Sequence, residues 1–288
     1  MHSKTRDRVF NWWELEQRDF PWRRTRDPWA ILVSEFMLQQ TQAQRVVSKY
    51  EMFLHRYPDV HACSRSTLGE VIELWSGLGY NRRAKNLHTT AQLVVDRYGG
   101  AIPDSLMELR SLPGIGEYTA RAVLSFAFDM NVAVVDVNVR RVLCRQAGEY
   151  LSNEECQNIA DENLPLNDGW RWNQAMIELG ATICTSRKVN CDTCPLQKTC
   201  AWSRNLQATD PSFNPKGASK KPQPFQGSDR QGRGRLVEKL RERNVISNEV
   251  GKIMGWPDDP TRCEKVLKGL IDEGLVAEKN KGEFSLPK

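Results

Sequence analysis

Four cysteines fall within one short segment, as Cys184-x6-Cys191-x2-Cys194-x5-Cys200. Four thiolates so placed can close round a tetrahedral zinc ion or a [4Fe–4S] cubane. Zinc ribbons usually present two tight cysteine pairs, and only one is present here. The long first gap lets the chain wrap a larger object, so the spacing favours the cubane over zinc. In a cytosolic protein such a cluster binds metal rather than forming disulfides. Cys63, Cys144, Cys156 and Cys263 are scattered and read as small core or surface residues.

The 288 residues suggest two domains at roughly 100–200 residues each. Forty per cent hydrophobic and 27% charged residues exclude a disordered chain, a collagen and a small disulfide scaffold. No apolar run approaches the ~18 residues of a membrane span, and residues 1–10 lack a signal peptide's apolar stretch. The expectation is a cytosolic, nucleoid-associated protein. Lys and Arg number 41 against 36 Asp and Glu, a net charge of +5 that permits a polyanionic partner without demonstrating one.

Residues 1–202 read as mainly helical. Apolar positions recur at helical spacing in Val9-Phe10-Trp13, Ile31-Leu32-Phe36-Met37 and Val46-Val47-Tyr50-Phe53-Leu54. Asp27-Pro28 has the form of an N-cap followed by proline at the first helical position. Val132–Val135 is the one strand-like run, short enough to be a buried loop. Residues 203–230 carry four prolines, no Ile or Val and a charge of +3, and read as an extended linker. In 231–288, helices over Arg235–Arg243, Ser247–Met254 (capped by Ser247 or Asn248) and Thr261–Gly274 precede a hairpin turning at Asn280-Lys281-Gly282. This is the pattern of a winged-helix-like module, a type that binds DNA or protein.

Three further motifs can carry chemistry. Leu112-Pro113-Gly114-Ile115-Gly116 makes a tight hairpin between helices, and its backbone N–H groups at a helix start can face a phosphate. Alone, a Gly-x-Gly turn is a weak signal. Asp136 interrupts an apolar stretch just before a basic helix, and Asp136 or Asn138 can serve simply as an N-cap. A carboxylate beside aliphatic groups is costly to desolvate, which also fits a functional role. Glu35 is the only charge in Ile31–Leu38, either a solvated point on an amphipathic helix or a buried acid. The amides of Gln39-Gln40-Thr41-Gln42 follow at a helix junction, where they can read base edges or fill the space of a displaced base.

In order along the chain, these pieces resemble the helix–hairpin–helix DNA glycosylases with an iron–sulfur cluster, and within them the MutY adenine DNA glycosylases. The resemblance is carried by Phe20-Pro21-Trp22-Arg23, Ser34–Gln42, Trp75-Ser76-Gly77-Leu78-Gly79-Tyr80, Arg83–His88, Leu112–Ala120, Asp136–Val139, Trp172–Gly180 and the cysteine spacing. It covers roughly residues 8–202. It implies a mainly α, two-lobed fold with a [4Fe–4S] loop, DNA crossing between the lobes and a target base flipped out of the duplex. The partner would be double-stranded DNA carrying a mispair, with the protein acting as a monomer.

Carried over by motif position, Glu35 matches the general acid that protonates adenine N7. Asp136 matches the carboxylate that stabilises the oxocarbenium-like sugar, supported by Tyr118 and Asn138. Trp22, Arg23 and Gln174 match the adenine pocket. Gln40, Leu78 and Tyr80 match side chains wedged into the stack beside the opposite base, with Thr41 near that base. Gly114 and Gly116 would bind phosphate, and Cys184, Cys191, Cys194 and Cys200 would hold the cluster. Glu35 must hold a proton near neutral pH, which burial favours, while Asp136 must stay charged. Tyr118 stands where lyase-type relatives such as endonuclease III carry a Schiff-base lysine, so a monofunctional enzyme is expected.

Two departures matter. Val137 replaces the usual glycine between Asp and Asn, and a β-branched residue restricts the backbone there. The nudix-like C-terminal domain that reads 8-oxoguanine is replaced by the linker and winged-helix-like module. Removal of thymine (or uracil) opposite guanine, lyase-type repair and a non-enzymatic Fe–S regulator are the alternatives.

Overall fold

The computed structural model describes residues 3–213 and 224–288. Helices dominate: α1 (Ser3–Glu16), α2 (Pro28–Leu38), α3 (Ala43–Arg56), α4 (Val60–Ser64), α5 (Leu68–Leu74), α6 (Arg82–Tyr98) and α7 (Leu106–Arg110) come first. They are followed by α8 (Glu117–Phe126), α9 (Val137–Ala147), α10 (Asn153–Asn163), α11 (Gly169–Thr182), α12 (Asp229–Glu242), α13 (Ser247–Met254) and α14 (Pro260–Asp272). The three short strands described are β1 (Val245–Ile246), β2 (Ala277–Asn280) and β3 (Glu283–Ser285). Among the described residues, no helix is long and apolar enough to cross a membrane.

The described chain divides into two compact units. The first comprises 3–31, 104–110 and 115–213, and the second comprises 32–103, 111–114 and 224–288. The first is built on α9 and α11, with α1 packed on α11. Its core joins Val9, Phe10 and Trp13 to Val139, Val142, Leu143, Trp172, Met176 and Leu179. Phe10 meets Trp172 edge-on at 5.7 Å. The run 132–135 is not a strand but a loop. The buried amide of Asn173 accepts from Val134 N (3.0 Å) and donates to the Val132 carbonyl (2.8 Å), while Ala133 N donates to Asp161 and the Ala133 carbonyl accepts from Gln157.

In the second unit, α4 and α5 pack on α6 around Phe53, Tyr57, Trp75 and Leu87, all fully buried. The C-terminal residues join this same unit. Gly69 N donates to the Pro287 carbonyl (2.8 Å), and Lys85 Nζ donates to the Glu273 carbonyl (2.5 Å). The winged-helix-like pattern is present, with sheet order β1-β3-β2 and both pairings antiparallel.

Several boundaries differ from the expectations. α12 starts at Asp229 rather than Arg235, because Ser228 caps it by accepting from Gln231 N. α13 has Ile246 at its N-cap instead of Ser247 or Asn248, with Glu249 reaching back to Ile246 N. α14 begins at Pro260, one residue early, capped by Asp259. Of the expected linker, 203–213 is held by Asp210, which bonds Arg145 and Ser212. The stretch 214–223 lies outside the described residues. Asp27-Pro28 behaves as expected, with Ala30 N donating to Asp27 Oδ1 at 2.7 Å.

Candidate active site and nucleic-acid interface

In the first unit, Asp136 is the N-cap of α9. Its Oδ1 accepts from Asn138 N (2.8 Å) and Val139 N (2.7 Å), and its Oδ2 accepts from Asn138 Nδ2 (2.6 Å). The cap bonds hold the carboxylate in one orientation. Burial pushes its pKa above the ordinary carboxylate value, while these donors and Arg141 pull it back. Arg141 bonds the Asn138 side-chain oxygen (2.8 Å) and the Gly180 carbonyl (2.6 Å). A Cβ on Gly180 would lie 2.7 Å from Asn138 O, so only glycine lets α11 approach the start of α9 this closely. Val137 is the first residue of that helix and 76% exposed, and helical backbone accommodates a β-branched residue.

The sequence segments around Trp22 and Gln174 also meet in the first unit. Arg23 Nε donates to Gln174 Oε1 (2.9 Å), and Arg23 Nη2 reaches Glu178 Oε2 (2.6 Å). Arg18 bonds the other oxygen of Glu178 (2.5 Å). Burial raises the Glu178 pKa, but its bond to Arg18 and the charge of Arg23 outweigh this and hold it below the ordinary range. Trp22 stacks on Phe20 at 4.9 Å. Glu178 was not singled out from the sequence, although Gln174 and Glu178 stand at i and i+4 and so share a helix face.

In the second unit, Glu35 is 4% exposed between Ser34 and Phe36, themselves buried. It is therefore a buried acid and not a solvated point on an amphipathic helix. Just beyond α2 the chain turns sharply, with Gln40 at φ 55° and exposed. A second sharp turn holds Gly77, Gly79 and Tyr80, all at positive φ. Tyr80 is 45% exposed, whereas Leu78, expected at the duplex, is buried beneath the turn.

Arg83 ties both turns together. Its Nη1 donates to the carbonyls of Phe36 (3.0 Å), Met37 (2.8 Å) and Gln39 (2.5 Å). Its Nη2 donates to Thr41 Oγ1 (3.0 Å) and to the carbonyls of Leu78 (3.0 Å) and Gly79 (3.1 Å). Its burial pulls the guanidinium pKa down to about 10. Gly114, at φ 79°, would place a Cβ 2.8 Å from Asn86 Nδ2 and Phe36 Cε1, and its carbonyl accepts from Gln39 Nε2 (3.3 Å). In the first unit, Gly116 is the N-cap of α8 and Tyr118 the second residue of that helix.

Cys184, Cys191, Cys194 and Cys200 line one pocket in the first unit, together with Arg145 and Trp202. Arg145, 2% exposed, donates to Cys184 Sγ (3.2 Å) and pairs with Asp210 (2.5 Å). Burial pushes the Cys194 thiol up to about 12. Among the described residues no three His, Cys, Asp or Glu side chains converge as on one metal ion. Four thiols that line one pocket are an all-sulfur donor set, which fits a cluster that brings its own positive charge.

Residues 33–163 match the HhH-GPD superfamily of base excision DNA repair proteins. An adenine DNA glycosylase of Mycolicibacterium smegmatis is 37% identical over 283 residues, covering 96% of this chain and 94% of the relative. The chain belongs to the MutY-type adenine DNA glycosylases of the HhH-GPD superfamily. A mouse adenine DNA glycosylase, 38% identical, covers 70% of this family member and is itself 42% covered. A solved thermostable thymine-DNA glycosylase matches with a TM-score of 0.66 and 31% identity, over 70% of this chain and 97% of its own. The alignment with the mycobacterial adenine DNA glycosylase thus runs into the C-terminal module.

Proposed function

We propose that this enzyme hydrolyses the N-glycosidic bond of adenine mispaired with 8-oxoguanine or guanine, leaving an abasic site. The observation that carries this reading is the buried Glu35, set within an apolar helix in a member of the adenine DNA glycosylases. Adenine is a poor leaving group until a ring nitrogen is protonated. Glu35 donates its proton to N7, the C1′–N9 bond breaks with its electron pair leaving on adenine, and positive charge develops on the sugar. Asp136, held by Asn138 N, Asn138 Nδ2 and Val139 N, meets that charge; water adds its oxygen to C1′, and the proton it loses restores the acid form of Glu35.

Arg23 and Gln174 fix the pocket that receives the base, with Glu178 locking Arg23. Gln40, Thr41 and Tyr80 meet the duplex, and Arg83 holds their turns in shape. Gly114 and Gly116 meet phosphate. The four cysteines would hold a [4Fe–4S] cluster, which when bound cross-links residues 184–200. Tyr118 has no amine for a Schiff base, so the reaction ends at the abasic site and borohydride traps no enzyme–DNA adduct.

Single-turnover assays on 8-oxoguanine·A, G·A, G·T and G·U duplexes test the reading. Free adenine from the first two is the supporting result. Release of thymine or uracil in its place would establish the mismatch alternative, to which the likeness to the thymine-DNA glycosylase points. Iron and sulfide in the purified protein support the cluster, and zinc alone would contradict it.

A further inference from the structure

The C-terminal module grips the turn that carries Tyr80. Ser76 Oγ donates to Glu238 (3.3 Å), and Arg241 donates to the Ile72 carbonyl (3.1 Å) and to Asn81 Oδ1 (3.0 Å). Two residues of α12 thus hold both ends of a segment whose backbone is left-handed at Gly77, Gly79 and Tyr80, where only Tyr80 carries a Cβ.

The arginines of the module divide sharply. Arg233, Arg241, Arg243 and Arg262 are paired with Glu273, Glu238, Glu249 and Asp229. Arg235 has no carboxylate partner among the described residues and donates to the Met254 carbonyl, and Arg230 has none either. Its guanidinium instead lies 5.2 Å from the ring centroid of Phe225, and its Nη1 lies 3.4 Å from Tyr80 Oη. Phe225 is 55% exposed and Tyr80 45%. A cation without a carboxylate, set against one exposed aromatic ring and the hydroxyl of another, combines a partner for phosphate with surfaces on which bases stack.

We propose that Phe225, Arg230 and Tyr80 form one DNA-contact surface, through which the C-terminal module grips the strand opposite the extruded adenine. Arg230 meets a phosphate of that strand and Phe225 a base beside the mispair. The inference rests on the proposed function, which places Tyr80 at the duplex.

The test uses the full chain, with Kd measured across a salt series. The probe is a duplex carrying 2′-fluoro-2′-deoxyadenosine opposite 8-oxoguanine, since the fluorine resists formation of positive charge on the sugar. Arg230→Ala is expected to weaken binding about tenfold and to lower the slope of log K against log salt by about one. Phe225→Ala is expected to weaken binding at least fivefold with the slope unchanged, as lost stacking would. Arg235→Ala removes the same charge from a side chain that donates to the Met254 carbonyl instead, and should bind as wild type does. If wild type binds and releases adenine while Arg230→Ala and Phe225→Ala match its Kd and slope, the inference is wrong and the function stands. If wild type releases no adenine, the proposed function fails and takes the inference with it.

Discussion

Arg23 Nη2 lies 2.6 Å from Glu178 Oε2, and the two side chains are only 7% and 0% exposed. A buried pair of this kind is weak evidence for stability, but removing one partner strands the other. Glu178→Gln is expected to cost about 3 kcal/mol in denaturant unfolding. Its arginines hold the Glu178 pKa below the ordinary value of 4.5. The carboxylate's contribution is therefore full above that value and fades as pH falls through its folded-state ionisation. The stability gap between wild type and Glu178→Gln should narrow from pH 6 toward pH 3, as followed by chemical denaturation.

Arg83 makes six hydrogen bonds to two turns and pairs with no carboxylate among the described residues. Arg83→Met should destabilise the protein by about 3 kcal/mol, since buried carbonyls lose a charged donor. It should also weaken duplex binding at least tenfold and raise hydrogen exchange in 39–41 and 77–80. Arg83→Lys should recover only part of both effects, because an ammonium has three donors where the guanidinium has five in a fixed fork.

Gly180→Ala places a Cβ 2.7 Å from the Cβ and carbonyl oxygen of Asn138. The start of α9 must move, and Asp136 moves with it. Single-turnover adenine release should fall at least tenfold while the helical circular dichroism spectrum stays that of wild type. Unchanged release would show that the close packing of α9 on α11 does not position the carboxylate.

Burial raises the Asp136 pKa above its ordinary 3.8. A group shifted this way favours the folded state below its unfolded value, and that contribution is lost as pH rises through the folded value. Asp136→Asn keeps a capable N-cap residue but cannot ionise. Its melting temperature relative to wild type should rise between pH 3.5 and pH 7, measured by calorimetry.

Legibility in the sequence followed the range of the interactions. Caps at Asp27 and Asp136 were readable because each acts within three residues of itself. The candidate acids and the cysteine loop were readable because they are local departures from an apolar or helical background. Arg83 was not, because its meaning depends on carbonyls 44 to 47 residues away. Glu178 was half-visible, at helical spacing from Gln174, but its two arginines come from the other end of the chain. Arg145 gave no signal beyond being one charge in a basic helix. The C-terminal elements were legible one by one, whereas their attachment to 69–85 depends on backbone carbonyls that no side-chain pattern reveals.

The central claim is that Glu35 supplies the proton that lets adenine leave. Its most direct test is single-turnover release of free adenine from an 8-oxoguanine·A duplex at saturating enzyme, comparing wild type with Glu35→Gln at equal duplex occupancy. The account requires that wild type release adenine and that Glu35→Gln bind the duplex with a rate at least a hundredfold lower. A Glu35→Gln enzyme working at the wild-type rate would contradict it.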